Sequence, residues 1–289
     1  MNDGTAFANL CAAGGWDGRA FIGRDDPERP PQTHQEGTLF LGNRWSALGD
    51  FLALVAARGF PLDEGVALVI DLDKTAIGAR GRNDGLIDAA RLEGLRRTVS
   101  GLLGVGFDEA AFRQAYDELN QPLYHPFTAD NQDYLAYLCL MLGAGLCQLA
   151  PLLGRIRDGS LATFSALIEE VQRRRGELAG SGLAAIHDQV WGAMQAADPT
   201  PFKAFRRQEY LATIARCGDL PGASAPEALA ARIVVTEEVR QAARKLKEGG
   251  ALVFAVSDKP DEASHPSAED AQLGLQPLHR QAFLSVGEA

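Results

Sequence analysis

Two short apolar runs, residues 66–70 and 251–256, stand out in a chain whose other apolar positions mostly recur at helical spacing. Each run follows a glycine and ends at a polar residue, which favours a strand buried in a parallel sheet. Between the runs, from 77 to 231, one helical pattern follows another and no strand is predicted. The pattern therefore predicts an α/β protein with a large helical block inserted between two strands of its sheet.

The periodicity also predicts a short strand at 233–235 and helices at 45–59, 86–103, 108–119, 133–153, 160–178, 182–197, 201–217 and 236–248. The last helix has Thr236 as its cap and Gly249 and Gly250 as its stop, and it would form the crossover that parallel strands need. We therefore divide the chain into an irregular segment (1–37), an α/β core (38–78 and 232–289) and a helical block (79–231).

The first apolar run ends in two carboxylates and a threonine, Asp71, Asp73 and Thr75. Alternation along a strand places the two acids on one face, and α/β proteins place their chemistry at the carboxyl edge of a parallel sheet. One acid of such a pair can attack or bind a cation while the other transfers protons. The alternative is that both acids only cap a loop or the following helix.

The run Asp71-Leu72-Asp73-Lys74-Thr75 after an apolar strand resembles the first motif of the haloacid dehalogenase-like (HAD) hydrolase superfamily. Residues 251–257, an apolar strand that closes on Ser257, resemble the second motif. The resemblance implies a Rossmann-like parallel sheet as the core. It also implies that residues 79–231 form an all-helical cap, which closes over the site and selects the substrate.

The same resemblance implies a Mg²⁺-dependent phosphohydrolase that acts on a small organic phosphate monoester. Asp71 would attack the phosphoryl group to give an aspartyl-phosphate, and Asp73 would protonate the leaving oxygen and then activate water. The Asp71 carboxylate and the Asp73 carbonyl would hold the Mg²⁺ ion. Thr75, Ser257 and Lys259 would bind the phosphate, although a solvated loop lysine is the alternative for Lys259.

The sequence departs from the family pattern after Ser257. The family's third motif, a phosphate-binding Lys or Arg, often lies well downstream, whereas Lys259 follows Ser257 by only two residues. No apolar strand followed by acids, the family's fourth motif, is found beyond Ser257. Three explanations stay open: an acid from elsewhere in the chain, a non-catalytic relative that binds a ligand or partner, or a fragment of a longer enzyme.

Asp25 and Asp26 are the candidates for an acid from elsewhere in the chain. They follow a short strand-like stretch within residues 18–24, and a further short strand is expected at 38–41. If these strands took the place of the family's last two, as in a circular permutation, one of the acids would reach the metal. The alternative is that residues 25–31 form an ordinary polar, proline-rich turn.

A glycine-rich stretch, residues 78–82, follows the acids at the position where the family carries a flexible flap. Its two arginines, Arg80 and Arg82, could guide an anionic substrate. A solvated turn is the alternative.

Composition narrows the classes of function. The chain has 289 residues and a net charge of −10, which disfavours nucleic-acid binding because that depends on basic surface. Four cysteines without a CxxC pair predict free thiols in a reducing compartment, and the first residues lack a signal-peptide pattern. We therefore expect a cytoplasmic protein; the substrate and the oligomeric state stay open.

One segment, residues 134–154, is uncharged and long enough to span a membrane. Its glycines and a proline interrupt the apolar run, and acids rather than basic residues precede it. Two buried helices joined at the glycines are the simpler interpretation, so no membrane association is expected.

Overall fold

A computed structural model describes residues 3–287 of the chain. The fold is mixed α/β, with many helices and small sheets. The chain divides into two compact units. We call the first the α/β unit (residues up to Ala89, Thr213–Lys259 and from Arg280 onward) and the second the helical unit (Ala90–Ala212 and Pro260–His279).

The described strands are short and belong to three separate sheets. They are β1 (Ala20–Gly23), β2 (Thr33–Glu36), β3 (Leu39–Gly42), β4 (Ala67–Asp71), β5 (Val235–Thr236), β6 (Leu252–Val256) and β7 (Ser285–Val286). The sheets have the orders β1-β3-β2, β4-β6 and β5-β7. All pairs are parallel except β2 with β3. The two strands expected from the apolar runs therefore pair in parallel, and they form a two-stranded sheet separate from the other two sheets.

Helices account for most of the rest of the described chain. They are α1 (Asp3–Gly14), α2 (Ala47–Ala57), α3 (Asp84–Leu103), α4 (Glu109–Leu119), α5 (His125–Thr128), α6 (Gln132–Gly143), α7 (Leu149–Arg157), α8 (Phe164–Arg173), α9 (Leu183–Gln195), α10 (Lys203–Ile214), α11 (Ala225–Ala231), α12 (Glu237–Glu248), α13 (Asp261–Ser264) and α14 (Ala268–Gln272). Residues 78–231, all of which the structure describes, contain helices and no strand. Residues 1–37, expected to be irregular, carry α1, β1 and β2.

The uncharged stretch 134–154 forms parts of two helices, α6 and α7, with a break between them. Every residue of α6 from Leu135 to Met141 is buried in the core of the helical unit. Burial on all sides explains why this stretch is apolar without an amphipathic stripe. No helix between residues 3 and 287 is long and apolar enough to cross a membrane.

The helical unit also contains charged side chains in its interior, which we call the buried charge network: Arg91, Asp133, Arg206 and Glu209. Arg206 donates from Nε to Asp133 Oδ2 at 2.8 Å and from a terminal nitrogen to Glu209 Oε2 at 2.7 Å. Arg91 Nε lies 3.3 Å from Glu209 Oε1. Both acids are fully buried, so these contacts replace the water that the carboxylates have lost.

In the α/β unit, helices α2 and α12 cover one face of the β4-β6 sheet. Leu52 of α2 and Leu246 of α12 form a small core with Ala251, against which Leu68 of β4 packs. The opposite face carries apolar side chains in register on both strands, and we call it the apolar sheet face: Ala67, Val69, Leu252, Phe254 and Val256. These side chains are exposed, Phe254 by 51% and Leu252 by 60%.

Candidate functional site

The carboxyl end of β4 passes directly into a tight loop, residues 71–77, which we call the acid loop. The Ala76 and Ile77 amides donate to the carbonyls of Asp71 and Leu72, at 3.2 and 2.9 Å. Lys74 donates its amide to the Ile77 carbonyl at 2.9 Å and has a φ of +60°, in the left-handed region. These bonds fix the backbone that carries both predicted acids, at the cost of an uncommon conformation at a non-glycine residue.

Asp71 and Thr75 are brought together within this loop. Thr75 Oγ1 donates to Asp71 Oδ2 at 2.8 Å. The Asp71 side chain is exposed, and that of Asp73 is half-buried. The hydroxyl that the sequence assigned to phosphate binding therefore orients the candidate nucleophile.

The residue that precedes α12, Thr236, donates two hydrogen bonds to the acid loop. Thr236 is the N-cap residue of that helix, but its hydroxyl makes no capping bond. Instead Thr236 Oγ1 donates to the Thr75 carbonyl at 2.7 Å, and its amide donates to the Ala76 carbonyl at 2.9 Å. The residue predicted to cap α12 thus stabilises the acid loop through two hydrogen bonds. Thr236 is also the last residue of β5, which pairs with β7.

Ser257 lies at the same sheet edge as Asp71. In the parallel pairing, Asp71 is opposite Val256, and the Leu72 amide extends the pairing to the Val256 carbonyl at 2.8 Å. Ser257 is the first residue beyond β6, a strand that lies about 4.8 Å from β4. Its Oγ accepts a hydrogen bond from the Lys259 amide at 3.1 Å, so Ser257 and Lys259 form one turn beyond β6.

Two of the cations near the acids are already paired. Lys74 Nζ contacts both oxygens of Asp88, at 2.7 and 2.9 Å. Arg82, whose side chain is only 6% exposed, contacts Asp25 at 2.7 Å and Glu238 at 2.8 and 3.0 Å. Burial acts to lower the pKa of Arg82, but the bonds to Glu238 and Asp25 outweigh it and raise the pKa. Arg82 thus forms buried ion pairs that link distant segments of the α/β unit.

Asp25 and Asp26, the candidates for an acid from elsewhere in the chain, both have partners in the structure. The Asp25 amide donates to the Arg80 carbonyl at 2.9 Å, so the chain after β1 does reach the segment beyond the acid loop. Its carboxylate, however, accepts from the Trp45 amide at 2.9 Å and from Arg82. Asp26 pairs with Arg29 at 3.3 Å.

The sequence predicts that Asp71 and Asp73 of the acid loop hold Mg²⁺. Across residues 3–287, no three Asp, Glu, His or Cys side chains lie close enough to hold a metal ion together. Mg²⁺ is a hard cation that is commonly held by one or two carboxylates, with water and substrate phosphate as further ligands. The oxygens of Asp71 and Asp73 fit such a shared ligand set, in which substrate and water supply the remaining positions.

No family model, curated protein or solved structure matches this chain. The resemblance to HAD enzymes therefore rests on residues 71–75 and 251–257. Sequence reasoning missed Asp88 and Glu238 as partners of nearby cations, and it gave Thr236 only a capping role. No local sequence signal reveals these contacts, because each joins segments that are distant in the chain.

Proposed function

We propose that this chain is a Mg²⁺-dependent phosphohydrolase of the HAD type, which cleaves a small organic phosphate monoester through an aspartyl-phosphate on Asp71. The observation that carries the proposal is the register of β4 and β6, which places Asp71 and Ser257 at one sheet edge. In this proposal the α/β unit corresponds to the Rossmann-like core. The helical unit corresponds to the cap, because its larger segment, Ala90–Ala212, is inserted between the two motif strands in sequence.

The proposed reaction has two steps. An oxygen of Asp71 attacks phosphorus and the ester P–O bond breaks, while Asp73 gives a proton to the leaving oxygen. Asp73 then takes a proton from water, which attacks phosphorus and breaks the bond to Asp71, so that inorganic phosphate is released. General acid help of this kind contributes about 10²–10⁴-fold.

The other residues hold the reacting groups in place. Thr75 orients the Asp71 carboxylate, and Ser257 and Lys259 offer a hydroxyl and a cation to the phosphoryl oxygens. Mg²⁺, held by the Asp71 carboxylate and the Asp73 carbonyl, would add positive charge beside those oxygens. Removal of divalent metal by a chelator should therefore stop phosphate release, and added Mg²⁺ should restore it.

Substitution Asp73→Asn tests the assigned proton transfer. We expect a loss of about 10²–10⁴-fold in kcat/KM with an alkyl phosphate, because its basic alkoxide needs a proton as it leaves. Nitrophenyl phosphate should lose much less, since nitrophenolate is a good leaving group. Asp50→Asn, at an exposed position on α2, is the control and should change neither rate. Equal losses for both substrates would contradict the role of Asp73.

A second candidate function, a non-catalytic protein that binds a partner, is favoured by the apolar sheet face. Parallel sheets are normally covered on both faces, yet here α2 and α12 cover only one. Contiguous exposed apolar surface of this kind marks interaction sites.

Phe254→Lys tests whether the apolar sheet face mediates association. Phe254 is 51% exposed near the middle of that face, so a charge there should weaken any association that buries it. We expect reduced binding of a dye that recognises exposed apolar surface, and reduced self-association in sedimentation experiments. Leu273→Lys, at a residue 78% exposed in the helical unit, is the matched control. Association that both variants weaken equally would argue against this face.

A further inference from the structure

Arg80 has a fixed backbone next to the acid loop. Its amide donates to the Lys74 carbonyl at 2.9 Å. Its carbonyl accepts from the Asp25 amide at 2.9 Å and from Trp45 Nε1 at 3.2 Å. The origin of the Arg80 side chain is therefore fixed relative to the loop that carries Asp71 and Asp73.

Two glycines make this arrangement possible. Gly78 and Gly81 have φ values of +60° and +77°, which other residues rarely adopt. A Cβ atom at Gly81 would lie 1.9 Å from the Asp25 carbonyl oxygen, and one at Gly78 would lie 2.5 Å from Ile87 Cδ1. The glycine-rich stretch is thus packed closely against its neighbours rather than being a loose, solvated turn.

The Arg80 guanidinium itself is available. The side chain is exposed, and within residues 3–287 it takes part in no hydrogen bond or ion pair, whereas Lys74 and Arg82 are bound to acids. A phosphate ester brings negative charge to an edge that already carries two carboxylates, so a cation in addition to Lys259 would stabilise the bound phosphoryl group. A guanidinium can bind two phosphate oxygens at once.

We propose that Arg80 binds the non-bridging oxygens of the phosphoryl group in the site of Asp71 and Ser257. This assignment rests on the proposed function. It also separates the two arginines that the sequence offered as substrate guides: Arg80 binds the phosphate, and Arg82 ties the α/β unit together.

Binding of inorganic phosphate, measured by calorimetry in the presence of Mg²⁺, tests the role of Arg80 without turnover. We expect Arg80→Gln to weaken phosphate binding at least tenfold, and Arg80→Lys to recover part of the loss because it restores the charge but not the two-point contact. The fold should be kept, since the hydrogen bonds that Arg80 makes to the rest of the α/β unit come from its backbone. Arg58→Gln, at the end of α2, removes an exposed arginine in the same unit and should have little effect.

Kinetics separate this proposal from the proposed function. If the wild-type chain hydrolyses nitrophenyl phosphate, Arg80→Gln should raise KM at least tenfold. Hydrolysis with unchanged KM and unchanged phosphate binding in Arg80→Gln would overturn the role of Arg80 alone. If the chain hydrolyses no ester but binds phosphate in a way that depends on Arg80, the proposed hydrolase function alone would be overturned. Absence of phosphate binding by the wild-type chain, or equal losses in Arg80→Gln and Arg58→Gln, would overturn the role of Arg80.

Discussion

Replacement of Asp71 by asparagine is expected to abolish hydrolysis of nitrophenyl phosphate while the fold is kept. The amide has the shape of the carboxylate, and its oxygen can still accept the hydrogen bond from Thr75 Oγ1. It is a far weaker nucleophile, however, so the aspartyl-phosphate cannot form. We expect kcat to fall by more than about 10³-fold, because positioning alone leaves only a small part of the rate when the nucleophile is lost.

The measurement is steady-state phosphate release with Mg²⁺ present, together with circular dichroism to check the fold. Asp88→Asn is the matched control, because Asp88 contacts Lys74 of the same loop but has no assigned part in the chemistry. It should lose far less activity than Asp71→Asn. A residual rate within tenfold of the wild type in Asp71→Asn would exclude Asp71 as the nucleophile.

The two main strands and nine of the described helices could be predicted because their signals are local. These helices are α2, α3, α4, α6, α7, α8, α9, α10 and α12. The apolar runs before Asp71 and Ser257 form β4 and β6, each within a residue or two of the expected bounds. The glycine stop of α12 is also found, with Gly250 at a φ of +100°. The break between α6 and α7 was expected at the glycines, which interrupt the apolar run together with a proline.

The arrangement of the strands could not be predicted, because it depends on pairing between distant segments. β2 is short, polar and fully exposed, so it lacks the alternation that marks a half-buried strand. Strand β5 was expected, but its parallel partner β7 has only two residues. Three small sheets form where the sequence pattern favoured one.

In the candidate site, too, features with local sequence signals could be predicted, and contacts between distant segments could not. Asp71 and Ser257 could be placed together because the ends of parallel strands share an edge. Arg82 could not be assigned, since its partners Asp25 and Glu238 are 57 and 156 residues away in the chain. The strand-then-acid pattern at Asp25 suggested a metal-binding carboxylate, whereas in the structure that carboxylate is bonded to the Trp45 amide and to Arg82.

The largest effect on stability is expected from Asp133→Ala in the buried charge network. Asp133 is fully buried, where it accepts from Arg206 and, at 3.0 Å, from the Phe202 amide. Burial raises the pKa of Asp133, and Arg206 opposes that shift by favouring the charged form. The substitution leaves a buried guanidinium and an amide without this acceptor, while Glu209 faces both Arg91 and Arg206.

We expect Asp133→Ala to lower the free energy of unfolding by about 3–5 kcal/mol, the usual effect of removing one partner of a buried pair. Asp133→Asn should lose less, because it keeps an acceptor for the Phe202 amide. The control is Asp117→Ala, which removes half of the exposed Arg113–Asp117 pair and should cost about 0–1 kcal/mol. Hydrogen exchange in α6 and α10 would measure the effect within the helical unit itself. If Asp133→Ala costs no more than Asp117→Ala, the network contributes nothing to stability beyond an exposed ion pair, and the helical unit is held by its apolar core alone.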